Sequence, residues 1–111
     1  MKEKVLEIIN HYGVMPQLKY FQSEVFELNE AIIRRNYLPK EVDPELFGMN
    51  FEIEQAEEHI TEEIADVMVM IEQFILYYGI PVGNIKEVME HKVKRQLERI
   101  KNEKENNKKS K

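Results

Sequence analysis

The chain contains no cysteine, so disulfide bridges and thiolate metal sites are excluded. Only four Gly and four Pro occur in 111 residues, which encodes few turns and implies long elements. No apolar run exceeds that from Val67 to Ile71, far short of the roughly 20 residues that a membrane-spanning helix needs. The opening Met1-Lys2-Glu3-Lys4 leads into a mixed amphipathic stretch and lacks the apolar core of a signal peptide. Lys and Arg are missing from residues 42–66, where acids dominate, and the formal net charge is −5. That balance argues against a general nucleic-acid binder, whose footprint is basic. It leaves room for an anionic ligand if metal ions bridge the like charges. The expectation is a cytoplasmic protein with no membrane association and no stable nucleic-acid binding.

What is present points to helices. Hydrophobic residues make up 42% and charged residues 33%, the balance of a folded domain rather than a disordered chain. The periodic segments are rich in Glu, Lys, Leu, Ile, Met and Gln, which favour helix. Four helical segments can be read. The first, roughly 2–11, carries Val5, Ile8 and Ile9 on one side and stops near Gly13. The second opens at Pro16, suited to a first turn, and runs to about Asn36. Its apolar residues Leu18, Phe21, Val25, Leu28 and Ile32 recur by three and four, as a core-facing stripe does.

Pro39, Pro44 and Gly48 then break the helix, and Leu46, Phe47, Met49 and Phe51 suggest a loop that packs onto something. The third segment runs from about Glu52 to Tyr78, before Gly79-Ile80-Pro81, with a stripe of Ile60, Ile64, Val67, Ile71, Phe74 and Tyr78. The fourth starts near Val82 or Asn84 and passes Ile100. Residues 1–101 read as one all-α domain and residues 102–111 as a polar, lysine-rich, frayed tail. Such a chain leaves too little core around its long third and fourth helices, so a homodimer or dimer of dimers is expected to complete it.

Two short patterns carry chemistry. Glu24-Val25-Phe26-Glu27 in the second helix and Glu63-Ile64-Ala65-Asp66 in the third each place two carboxylates three residues apart, on one helical face. Two such helices side by side offer four carboxylates to one small volume, where they repel unless cations bind. Oxygen-only ligands favour hard ions such as Mg²⁺ or Mn²⁺. Glu pairs at this spacing are common on solvated faces. Asp66 fits that reading poorly: it interrupts the apolar stretch from Ile64 to Ile71 and is a poor helix former. It is expected to be partly buried, where a charge needs a partner or a metal.

With their surroundings these residues resemble the all-α nucleoside triphosphate pyrophosphohydrolases, the MazG-like, dimeric dUTPase-related superfamily. The resemblance lies in Glu24-x-x-Glu27 followed by Glu63-x-x-Asp66, in the flanking segment 17–32, in Thr61-Glu62-Glu63-Ile64-Ala65-Asp66-Val67, and in the basic segment 92–99. It spans roughly 17–99. It implies a four-helix MazG-like bundle and a hydrolase that uses Mg²⁺, with Mn²⁺ as a substitute, to convert a (d)NTP to (d)NMP and pyrophosphate, cleansing or balancing a nucleotide pool. Carried over, Glu24, Glu27, Glu63 and Asp66 are the catalytic metal ligands, and Lys92, Gln96, Arg99 and Gln17 contact the substrate. Gln96 stands where the family usually has Asn, Ser23 replaces a frequent acid, and the interval from Glu27 to Glu63 is long. The alternative is a non-catalytic helical module of the same fold that senses a nucleotide or binds a protein partner; the intact acids argue against it. No Glu-x-x-His spacing occurs, which disfavours a ferritin-like di-iron bundle. His59 reads as a solvated or outer-shell histidine.

Overall fold

A computed structural model describes residues 1–40, 45 and 47–109. Among the described residues the chain is all-helical: α1 (Lys2–Tyr12), α2 (Val14–Asn36), α3 (Phe47–Tyr78) and α4 (Val82–Lys109), with no strand. No helix is long and apolar enough to cross a membrane. The chain divides into two compact units, Met1–Tyr78 and Gly79–Lys111, where the sequence suggested one domain over residues 1–101. All the fully buried side chains belong to the first unit.

Gly13 makes the first break. Its φ of 92° and ψ of 160° lie in a region essentially reserved for glycine. Its amide still donates to the Ile9 carbonyl at 2.8 Å, and its carbonyl accepts from the Gln17 amide at 3.2 Å. One residue thus ends α1 and starts α2. Pro16 falls in the first turn of α2, where a missing N–H costs nothing. At the other end, Arg34 and Arg35 face the negative pole of the helix. The Arg35 guanidinium donates to the carbonyls of Pro39 and Lys40, both at 2.9 Å, and pairs with Glu57 of α3 at 3.2 Å.

α3 begins at Phe47, so residues 47–51, expected as a packing loop, form its first turns. Gly48 sits in open space there and does not break the helix. Residues 41–44 and Leu46, part of the expected break, lie outside the described residues. In the second unit Pro81 caps α4 through its carbonyl, which accepts from Asn84 at 3.1 Å and Ile85 at 3.4 Å. The segment from Asn102, expected as a frayed tail, continues α4 as helix to Lys109.

α2 and α3 lie antiparallel: Gln17 meets Gln73, Phe21 meets Phe74 and Arg35 meets Glu57. α1 packs on both, and more on α3. The covered residues of α2 are Val14, Gln17, Phe21, Glu24, Leu28, Ala31 and Arg35. Those of α3 that run along the seam are Ile53, Ala56, Ile60, Glu63, Val67, Met70 and Phe74, with Asn50, His59, Gln73, Ile75 and Leu76 covered beside them. Each set alternates in steps of three and four, the pattern of a helix–helix seam. The expected stripes are therefore only partly the packed ones. Leu18, Val25 and Ile32 on α2, and Ile64, Ile71 and Tyr78 on α3, remain exposed one position round from the seam. Glutamates and glutamines occupy seam positions that hydrophobic residues would normally hold.

Candidate metal centre

Glu24 from α2 meets Glu63 and Asp66 from α3. Each offers a carboxylate oxygen, and these three oxygens lie within 4.8 Å of one another. Both glutamates are seam residues, Glu24 with 4% and Glu63 with 8% of its surface exposed. Asp66 is exposed at the mouth of the cluster, contrary to the partial burial expected of it; at the seam it is Glu63 that holds the covered position.

The partners of these carboxylates are incomplete. Glu63 Oε1 lies 3.3 Å from His59 Nε2, one turn back, and the Tyr20 hydroxyl, one turn before Glu24, is near enough to act on that carboxyl as a donor. Glu24 Oε2 and Glu63 Oε2 are buried with no hydrogen-bond partner among the described residues. Burial pushes the Glu24 carboxyl above its ordinary value of 4.5; the Tyr20 hydrogen bond opposes that rise, and the charges of Asp66, Glu27 and Glu63 add to it. The Tyr20 phenol is in turn raised above 10.0, first by that hydrogen bond and then by the Glu24 charge. Two orphaned, buried carboxylate oxygens facing a third acid are costly without a counter-charge. A hard divalent cation satisfies all three, and Mg²⁺ typically takes one or two carboxylates and keeps its other positions for water and phosphate. The residues present fit such an ion.

The other residues singled out from the sequence fall into three places. Glu27 is exposed on α2, outside the trio but near enough for its charge to act on Glu24. Gln17 is buried two turns before Glu24. Its Nε2 donates to Gln73 Oε1 at 2.8 Å. Lys92, Gln96 and Arg99 are exposed on α4, in the second unit, spaced to share one helical face. Tyr20 and Gln73 were not found from the sequence. Tyr20 had a signal, standing four residues before Glu24; Gln73 had only its amide beside the apolar run Phe74-Ile75-Leu76.

A cavity of about 590 Å³ adjoins the cluster within the first unit. α1 borders it with Ile8 and Tyr12, α2 with Pro16, Gln17 and Tyr20, and α3 with Asp66, Val69, Met70 and Gln73. Asp66 is thus shared between acids and cavity.

Comparison of the chain with protein-family models, curated proteins and solved structures finds no match.

Proposed function

We propose that this chain is a cytoplasmic, Mg²⁺-dependent nucleoside triphosphate pyrophosphohydrolase of the MazG-like type, with Mn²⁺ as a substitute ion. The observation that carries the reading is the pair of orphaned, buried oxygens of Glu24 and Glu63 opposite Asp66. A helix–helix seam gains nothing from two buried acids unless a ligand rewards them.

In the proposed reaction the oxygen of a water attacks the α-phosphorus, the bridging α–β P–O bond breaks, and pyrophosphate leaves. Glu24, Glu63 and Asp66 would hold the metal, and the resemblance adds Glu27. Bound Mg²⁺ would neutralise phosphate oxygens and acidify water in its shell. The chain's own side chains do the rest. The Tyr20 hydroxyl, one turn before Glu24, would steady its carboxylate. His59 Nε2, 3.3 Å from Glu63 Oε1, would orient that carboxylate. The resemblance assigns phosphate contacts to Lys92, Gln96 and Arg99, all of which lie in the second unit.

The same reading includes self-association. The exposed apolar residues of α2 and α3 beside the seam form a second face on each helix, as two copies packing into a bundle require.

The decisive assay is pyrophosphate release from a panel of unmodified and damaged (d)NTPs, with Mg²⁺ or EDTA, on wild type and Asp66→Asn. Metal-dependent release, at least 100-fold lower in the variant, is expected. A folded, metal-loaded protein that turns over no nucleotide would sink the enzyme and leave the non-catalytic module.

A further inference from the structure

We propose that the cavity beside Asp66 receives a nucleobase, and that the buried amide of Gln73 selects a ring carbonyl over an exocyclic amine at the edge it meets, as at C4 of uracil against cytosine and C6 of hypoxanthine against adenine. The proposal rests on the pyrophosphohydrolase reading only in taking the Asp66 side as the phosphate end.

The cavity has the size and make-up of a small-molecule site: about 590 Å³, apolar walls from Ile8, Val69 and Met70, and a few placed polar groups. Tyr12 and Tyr20 stand at its rim, each more than half exposed, as rings available to stack on a flat ligand do. Its length suits a nucleoside. Gln17 precedes Glu24 by seven residues and Gln73 follows Asp66 by seven, so on antiparallel helices both amides lie roughly 10 Å along the axis from the acids. A sugar and base extended from a phosphate held at the acids reach that far.

The floor of the cavity supplies the selectivity. Gln73 is 1% exposed and Gln17 is 7% exposed. Gln17 Nε2 donates to Gln73 Oε1 at 2.8 Å, which occupies the Gln73 carbonyl and fixes which end of that amide is offered. What remains is the Gln73 amide nitrogen, whose partner is the Met70 thioether at 3.5 Å; Gln17 Nε2 also lies 3.9 Å from that sulfur. A thioether is a weak acceptor. Two buried amide donors converging on one sulfur are underused, and methionine is flexible enough to move aside. At the position of that sulfur a ring-edge carbonyl oxygen accepts from the two nitrogens with gain, whereas an exocyclic amine there brings a donor toward donors. Buried polar groups left unmatched are what make such sites reject the wrong analogue. Gln73 is therefore the specificity-determining residue and Gln17 the residue that positions it.

Isosteric pairs test this directly. Binding of uridine against cytidine, and of inosine against adenosine, is titrated by NMR on the full chain in EDTA, where no metal contributes. Uridine and inosine, with the carbonyl at the varied position, are expected to bind at least about ten-fold tighter than cytidine and adenosine. Gln73→Leu should shrink that preference to within about three-fold. Val69→Trp, at a half-exposed cavity wall where folding tolerates the change, should abolish binding of all four. Equal or inverted preference in the wild type, no nucleoside binding, a preference that survives in Gln73→Leu, or undiminished binding by Val69→Trp would each overturn the proposal. Because these titrations contain neither metal nor phosphate, they can fail while metal-dependent pyrophosphate release succeeds, and the reverse.

Discussion

Glu24 combines burial, an orphaned oxygen and three acidic neighbours, so without metal it destabilises the fold it occupies. Its folded-state pKa lies above its ordinary 4.5, meaning that the native chain holds the proton more tightly than the unfolded chain. The stability tied to this group is complete below about pH 4.5 and is lost as pH rises through the raised value. In EDTA, the urea midpoint should therefore fall over that window, and Glu24→Gln should remove the slope. At neutral pH the same variant should be more stable than metal-free wild type, by about 1 kcal/mol. Mg²⁺ at 100 times its dissociation constant should stabilise wild type by about 2.7 kcal/mol and the variant far less. A Glu24→Gln protein that is less stable in EDTA and still gains stability from Mg²⁺ would show the carboxylate to be structural.

At the scale of the helices, Gly13 fixes how α1 meets α2. A Cβ there would meet only Pro16 Cδ, at an ordinary 3.7 Å, so the cost of Gly13→Ala is one of backbone conformation. It should lower the unfolding free energy by about 1–3 kcal/mol, read by urea denaturation; a change below 0.5 kcal/mol would mean that the junction relaxes freely (roughly the scale of a neutral surface substitution). The helices themselves were legible because their stops are chemical: Gly13 ends α1 and Gly79-Ile80-Pro81 ends α3. The start of α3 was not, because Gly48 reads as a breaker in sequence and is tolerated in the helix. The packed faces were legible to within one position. Hydropathy placed Ile64 and Ile71 inside, yet Glu63 and Met70 hold the seam. A helix with two adjacent apolar faces gives no hydropathic reason to choose between them. Three of the four acids expected together, Glu24, Glu63 and Asp66, meet as their spacing suggests, whereas Glu27 stands outside the trio; burial was assigned to Asp66 rather than Glu63 for the same reason. Gln73 was not legible, since a lone amide in a helix carries no charge or motif to mark it.

At the scale of the whole molecule, the exposed residues Leu18, Val25 and Ile32 on α2, and Ile64, Ile71 and Tyr78 on α3, recur once per two helical turns. Such a surface is a liability for a lone chain and an asset for a pair of chains. Sedimentation equilibrium at micromolar concentration should give a dimer or tetramer. Val25→Glu combined with Ile71→Glu should convert it to folded monomer, each charge being carried to a site that is already partly solvated. A wild type that sediments as a monomer would remove the dimer from the proposed function.

α1 is held to the first unit by two buried side chains, Val5 and Ile9, yet it supplies the Ile8 and Tyr12 wall of the cavity. The wall is thus the least anchored of its three helices, and sub-global opening should begin there. Amide hydrogen exchange in α1 should run ahead of that in the middle of α3, and a nucleoside filling the cavity should slow α1 first. Exchange slowed equally in every helix would mean that α1 opens only with the whole unit. In that sense Gly13 is a door hinge: the one residue that joins the wall to α2 would also set how freely the proposed ligand enters and leaves.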